Sequence, residues 1–326
     1  MEEFSPRSAF GKAQPIGCRH FGDTLLLDLA IVIVNYNVSA LLRRCLQTVF
    51  ASAGDFTFAV AVVDNASQDD SVEMVRQAFP QVHVVANEEN AGYPAGNNQG
   101  LRALGIENEQ PPRYVLLLNP DTELPPNALA DMLNFLDKNS DVGIVGPRLI
   151  LPNGQLDLAC RRGFPSPAVS IYRFFGLSHL FPHSPRFGRY NMTFLDEHEQ
   201  ADVDAVVGAF MMLRGTAVRQ VGLLDERFWM YGEDLDWAKR IKDAGWRVVY
   251  NPAVTVLHVK RASSRQNRRK AQYEFYRAMP IFYYKHYRQQ TSWWLHLIIM
   301  IGIGLKAGPK LWPALFSGPG ILTASQ

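Results

Sequence analysis

Cysteine is scarce in this chain. Cys18, Cys45 and Cys160 are odd in number and far apart, which excludes a disulfide framework and a closely spaced zinc or redox pair. Free thiols of this kind suit a reducing compartment. Excess charge is also missing: a formal +2 over 326 residues is too slight to nominate a nucleic-acid binder, which needs a concentrated basic surface. No G-x-G-x-x-G follows a predicted strand, and "GIGLKAG" (302–308) follows none, so a dinucleotide dehydrogenase is disfavoured. "VNYNVSALLRR" (34–44) lacks the Gly- and Lys-rich phosphate loop expected of a nucleotidyltransferase. The opening "MEEFSPRSAFGKAQPIGCRHFGD" carries two early acids and lacks the apolar core of a secretory signal, so residues 1–27 read as a loose tail and the protein as cytoplasmic. Internal repeats are absent.

What is present alternates. "LAIVIVNYN", "FAVAVVDNAS", "VHVVAN", "YVLLLNPD" and "VGIVGP" are apolar runs of strand length, the pattern of strands buried on both faces. Between them "SALLRRCLQTVFAS", "DDSVEMVRQAF", "PAGNNQGLRAL" and "NALADMLNFLDK" have helical spacing, and Ser67 with Asp70 is a candidate capping box for the second helix. Such alternation predicts an α/β fold, a mostly parallel sheet with helices on both faces. Residues 160–200 form a long irregular excursion rich in Pro, Phe, His and Arg, a kind that usually has a function. Strand character returns in "DVDAVVGAFMMLRG". A helix "EDLDWAKRIKDAG" with Gly245 as its cap follows, then two strands, "WRVVYNP" and "VTVLHV".

Ligands of parallel sheets sit beyond the strands' carboxyl ends, and Asn35, Asp64, Asn87 and Asp121 each stand at such an end. Asp64 is either a turn aspartate or an acceptor for a nucleotide base or ribose. Asp121 follows Pro120, whose ring fixes the chain ahead of the carboxylate. It is either a turn residue or the anchor of a hard divalent cation shared with a diphosphate, for which one or two carboxylates suffice. In the helix opened by Glu233, residues Asp234, Trp237, Ala238 and Ile241 fall on one face, whereas Asp236, Lys239, Arg240 and Asp243 fall outside it. Asp234 therefore points inward, where a general base must sit, though a first-turn acid also complements the helix dipole. His258 ends an apolar strand, where a lone histidine is more often structural than a ligand, but the polar run "KRASSRQ" that follows suggests a strand emerging at a site.

Taken in this order, "VNYN", "VDNAS", "NAGYPAGNNQG", "LLLNPD", "FWMYGEDLDWAKR" and "VLHV" resemble the family 2 glycosyltransferases, most closely the bacterial rhamnosyltransferase-like group with a GT-A fold. The resemblance spans about residues 29–260. It implies a GT-A catalytic domain over 28–260 and an inverting transfer of sugar from a nucleoside-diphosphate donor, dTDP-rhamnose among the candidates, to a glycan or lipid-linked acceptor in cell-surface polysaccharide synthesis. By the same likeness, donor contacts fall on Asn35, Asn37, Asp64, Asn65, Asn90, Gly92, Asn97, Asn119 and Asp121. A Mg²⁺ or Mn²⁺ ion falls to Asp121 and His258, catalysis to Asp234 and its neighbour Glu233, and acceptor contacts to Trp229 and Tyr231. Asn119 departs from the family's D-x-D element, in which aspartate is common at that place. A catalytically silent sugar-nucleotide or glycan-binding subunit is the competing class.

Residues 261–326 form a separate appendage. "KRASSRQNRRKAQYEFYRAMPIFYYKHYR" is basic and aromatic with a single acid, and leads into "TSWWLHLIIMIGIGL". Basic residues running into tryptophans and aliphatics suit an anionic bilayer surface rather than nucleic acid, and the apolar run falls short of the ~18 residues of a spanning helix. An interfacial or re-entrant anchor on the inner face of the cell membrane is expected. A helical cap on the catalytic domain or a homodimer interface is the alternative use.

Overall fold

The computed structural model of the chain describes residues 13–15, 27–260 and 268–316. Its sheet contains β1 (Gln14–Pro15), β2 (Leu29–Asn35), β3 (Thr57–Asp64), β4 (His83–Ala86), β5 (Tyr114–Leu118), β6 (Thr122–Glu123), β7 (Val142–Ile150), β8 (Ala201–Asp202), β9 (Phe210–Arg214) and β10 (Arg247–His258). The helices are α1 (Ser39–Phe50), α2 (Ser71–Ala78), α3 (Tyr93–Ala103), α4 (Ala128–Lys138), α5 (Pro167–Phe174), α6 (Leu177–Leu180), α7 (Gly215–Val221), α8 (Glu233–Asp243), α9 (Arg268–His286), α10 (Trp293–Ala307) and α11 (Trp312–Phe316).

The first half follows the expected α/β alternation. β4, β3, β2 and β5 lie side by side and parallel. Every residue of β2 and β5 is buried, as continuous apolar runs require when helices cover both faces. The second half is mixed: β9 runs antiparallel between β5 and β7, and β10 pairs parallel with β7. The two strands expected after residue 245 are one. β10 continues through Pro252, and the register slips between Asn251 and Thr255, because a proline without an N–H cannot keep its rung of the ladder. β6 pairs antiparallel with the end of β10, setting His258 opposite Thr122, and this pairing brings residues 121 and 258 together.

Smaller expectations also change. Gln14–Pro15 of the supposed loose tail adds to the edge of β3; residues 1–12 and 16–26, with Cys18, lie outside the described residues. Ser67 caps no helix, because its hydroxyl is taken by Asp64, and α2 starts later, at Ser71. Cys45 and Cys160 are buried thiols whose pKa values burial pushes up, to about 12 and about 11, so neither is a nucleophile. Asp236, expected outside the apolar face of α8, is fully buried. The reason is α9, which lies over it and supplies Lys285 and His286 at 2.8 and 2.7 Å alongside Arg240 of α8 at 2.9 Å. The appendage therefore begins as a helix bound to the catalytic domain.

Candidate active site

Asn35 and Asp64 are paired across β2 and β3 by register, and the Asn35 amide donates to Asp64 Oδ2 at 2.8 Å. The Ser67 amide and hydroxyl donate to the two Asp64 oxygens at 2.8 and 2.7 Å, and Asn37 N donates to the same hydroxyl at 2.8 Å. Asp64 thus holds the β2 and β3 loops in a fixed shape, and the lone pair without a protein partner is Asn35 Oδ1, buried. Asn65 donates to Gly92 O at 3.1 Å and accepts from Asn87 at 2.9 Å. Asn90 Oδ1 accepts from Gly92 N at 3.0 Å, and Asn97 donates to Tyr93 O at 2.8 Å while its buried Oδ1 has no protein partner.

Gly92 has φ +90°, and a Cβ there would lie 2.6 Å from the Trp229 carbonyl oxygen; only glycine lets the two loops approach so closely. The Trp229 carbonyl accepts from Tyr93 N at 2.8 Å, and its indole donates to Asn90 O at 3.3 Å. Tyr231, half-buried, takes φ +72°, a strained setting for an aromatic residue of the kind that clusters at functional sites. It meets Phe275 of α9 edge-on at 5.7 Å, and Lys270 of α9 sits 3.7 Å from the Trp229 ring centre. Periodicity alone did not foretell that α9 packs on these two aromatic residues.

Asp121 is buried, with Oδ1 3.4 Å from His258 Nε2. The other ring nitrogen lies 2.9 Å from Asp157 Oδ2, and Asp157 Oδ1 accepts from Lys260 at 2.5 Å. Burial lowers the imidazole's proton affinity, but the hydrogen bonds to Asp121 and Asp157 outweigh it and raise its pKa to about 9. Asp157, which lies in a turn about a hundred residues away in sequence and was not foreseen, fixes the ring so that Nε2 faces Asp121, as outer-shell carboxylates do for metal-bound histidines. Asp121 and His258 are adjacent, and a carboxylate with an imidazole that gives up its proton on binding is a donor set that suits Mg²⁺ or Mn²⁺, with the remaining positions left to phosphate and water. Asn119 Oδ1 lies 3.2 Å from Tyr93 Oη, turned toward that hydroxyl. Among the described residues no cluster of three such ligands forms.

Glu233 and Asp234 open α8 behind Gly232. Asp234 does not face the cleft with a free carboxylate: Oδ2 accepts from buried Arg162 at 2.5 Å and from Gly208 N at 3.3 Å, and Oδ1 accepts from Leu235 N at 2.8 Å. Arg162 also donates to Val206 O at 3.0 Å. It comes from the irregular excursion, whose only outward signal was an Arg-Arg pair. Glu233 is buried with Oε2 unpartnered, and burial, then the charge of Asp234, raises its pKa to about 8. Tyr93 joins the two halves: its hydroxyl donates to Gly208 O at 2.9 Å, and after burial the charges of Glu233, Asp234 and Asp121 all push its pKa up. Both acidic groups therefore lie near Tyr93.

A family model described as "Glycosyl transferase family group 2" matches residues 114–316, and another, "Glycosyl transferase family 2", matches residues 30–156. This chain belongs to glycosyltransferase family 2 and is a glycosyltransferase. It is 29% identical over 72% of its length to an N-acetylglucosaminyl-diphospho-decaprenol L-rhamnosyltransferase of Mycobacterium tuberculosis, covering 77% of that protein. It is 27% identical over 72% of its length to the low-salt glycan biosynthesis hexosyltransferase Agl10 of Haloferax volcanii, covering 68% of it. Among solved structures, the mannosyltransferase PcManGT of Pyrobaculum calidifontis in complex with GDP-Man and Mn²⁺ superposes with a TM-score of 0.52 at 16% identity, over 93% of this chain and 82% of that one. GalNAc-T7 with UDP, GalNAc and Mn²⁺ gives the same TM-score and identity over 80% of this chain, which spans half of that protein. The fold is GT-A.

Proposed function

We propose that the enzyme transfers a sugar with inversion from a nucleoside-diphosphate donor, a deoxyhexose such as rhamnose being the first to test, to a hydroxyl of a glycan or lipid-linked acceptor at a membrane surface. The observation that carries this reading is Tyr93, whose hydroxyl meets both Gly208, a donor to Asp234, and Asn119, two residues before Asp121, and so brings the Asp121–His258 and Glu233–Asp234 pairs into one neighbourhood. The rhamnosyltransferase relative and its decaprenol-linked acceptor support the choice of donor and acceptor.

Asp121 and His258 would hold the cation, which when bound stabilises negative charge on the departing diphosphate. Asn35 and Asn97 offer buried acceptor oxygens to donor hydroxyl or base N–H groups, and Trp229 with Tyr231 forms the acceptor wall. The acceptor hydroxyl gives its proton to the Glu233–Asp234 pair as its oxygen bonds to the anomeric carbon. The bond from that carbon to the diphosphate breaks, and its electrons leave with the phosphate. Asp234, the expected base, is pinned by Arg162, so the open lone pair is the one on Glu233. A pKa near the working pH suits a general base.

The test is nucleoside diphosphate release by purified protein with Mn²⁺ across a panel of nucleotide sugars and a polyprenyl-diphosphate acceptor. Glu233→Gln and Asp234→Asn should each slow transfer about 10²–10⁴-fold, the range of general base catalysis, with donor-induced thermal shift preserved. Retention of more than a tenth of the rate by both variants would refute the assignment. A dead Asp234→Asn beside an unimpaired Glu233→Gln would return the proton to Asp234 alone.

A further inference from the structure

The excursion between β7 and β8 and the end of the chain meet at the surface. α5 ends at Phe174, whose ring lies 5.4 Å from the Lys306 ammonium of α10 and would be 3.9 Å from a Cβ on Gly302. Around this junction large apolar side chains stand in solvent from both segments. Phe175 is 69% and Leu180 70% exposed beside α5 and α6, and Trp293, Ile301 and Leu305 of α10 are 71%, 61% and 71% exposed. Scattered exposed apolar residues are ordinary, but here they line two distant segments that meet at Phe174, and such a grouping marks an interaction surface.

Charge selects the occupant. Residues 161–195 and 275–316 contain no Asp or Glu, while Arg173, Arg186, Lys306 and Lys310 flank the apolar residues. A second copy placed face to face would bring these cations together, whereas anionic headgroups neutralise them. α10 has 15 residues, about 22 Å at helical rise against a hydrocarbon core of about 30 Å. No helix among the described residues is long and apolar enough to cross a membrane. A helix this short and this exposed rests in the interface plane with its tryptophans at headgroup level.

We infer that α5–α6 and α10 together form one two-lobed docking face for an anionic bilayer, with the excursion as its second lobe. This rests on the membrane-surface part of the function proposed above and extends it from the C-terminal appendage to the catalytic domain itself.

The test is flotation of the full-length protein with phosphatidylcholine vesicles, with and without phosphatidylglycerol. Wild type should float only with the anionic vesicles. Phe175→Asp/Leu180→Asp and Ile298→Asp/Ile301→Asp should each weaken partitioning by about tenfold or more, since each pair replaces buried apolar area with charge. Amide hydrogen exchange on the unaltered protein supplies a reading that does not depend on the variants' folding: residues 171–181 and 293–305 should both gain protection on anionic vesicles. Protection confined to 293–305, or a Phe175/Leu180 variant that floats like wild type, overturns the two-lobed face. Loss of dimer rather than of flotation in these variants would assign the face to a second copy and overturn it too. Failure of the catalytic reading is separate, since Glu233→Gln would then transfer sugar normally while flotation stayed as expected.

Discussion

Arg162→Met is the most informative single change. The guanidinium is about 10% exposed, bonded to Asp234 at 2.5 Å and to the Val206 carbonyl. Methionine fills much of its volume but leaves Asp234 as an unpaired charge beside Glu233. Removing one partner of a buried ion pair costs about 3–5 kcal/mol. Spread over an unfolding entropy of about 2.1 cal/mol/K per residue, this lowers the melting temperature by about 4–7 °C. Catalysis moves as well. The charge of Arg162 lowers the pKa of Glu233 against the upward push of burial and Asp234, so its loss carries that pKa above about 8. A base works unprotonated, so the rising limb of the pH–rate profile should shift to higher pH and activity near pH 7 should fall. Differential scanning calorimetry, with a cycle through Asp234→Asn and the double variant, checks the first part, and pH–rate profiles the second. A melting temperature within about 1 °C of wild type, or an unmoved limb, would refute the view that Arg162 sets the charge of the pair.

Three further outcomes follow from the same geometry. Glu233 holds its proton more tightly folded, at about 8, than at its ordinary 4.5. The stability this contributes is full below about pH 4.5 and is lost as pH rises through 8. Glu233→Gln should therefore gain on wild type by about 1.4 kcal/mol per pH unit across that window, as read by urea unfolding at pH 5, 7 and 9. Asp121→Asn and His258→Ala should each abolish most of the extra thermal stabilisation that Mn²⁺ adds to protein saturated with nucleoside diphosphate, while the stabilisation by diphosphate alone persists. Asp236→Asn leaves Lys285, Arg240 and His286 without their carboxylate, at a cost of about 3 kcal/mol or more, and limited proteolysis should then cut ahead of α9 much faster than in wild type.

The parallel half of the sheet was legible because each strand is an unbroken apolar run and each connection is short. The strand-end residues were legible for the same reason, since a buried run that stops at Asn35, Asp64 or Asp121 announces a surface. β9 was harder: its five residues read as a strand, but direction is set by which neighbours it finds, and no local pattern encodes that. Pro252 argued for a break where the sheet tolerates a register slip. Asp236 was misplaced because helical periodicity sees one buried face, whereas α8 is covered on a second side by a helix starting more than thirty residues later. Arg162 and Asp157, the partners that orient Asp234 and His258, were hidden in an irregular segment and a turn, where no period singles out one polar residue from the next. Resemblance nominated Trp229, Tyr231 and Asn90, and it is the structure that sets Lys270 and Phe275 against the two aromatic rings.

The buried charge cluster around Asp236 has a mechanical side. Two residues after Asp234, the same helix is bolted to α9, and α9 leads within a few residues into the exposed tryptophans of α10. The two ends of this strut are the acids proposed to accept the proton and the exposed apolar side chains of α10. If α10 rests on a bilayer as proposed, the stiffness of the strut would set the height of the active site above it, and a tethered acceptor would be measured by its length as well as by its chemistry.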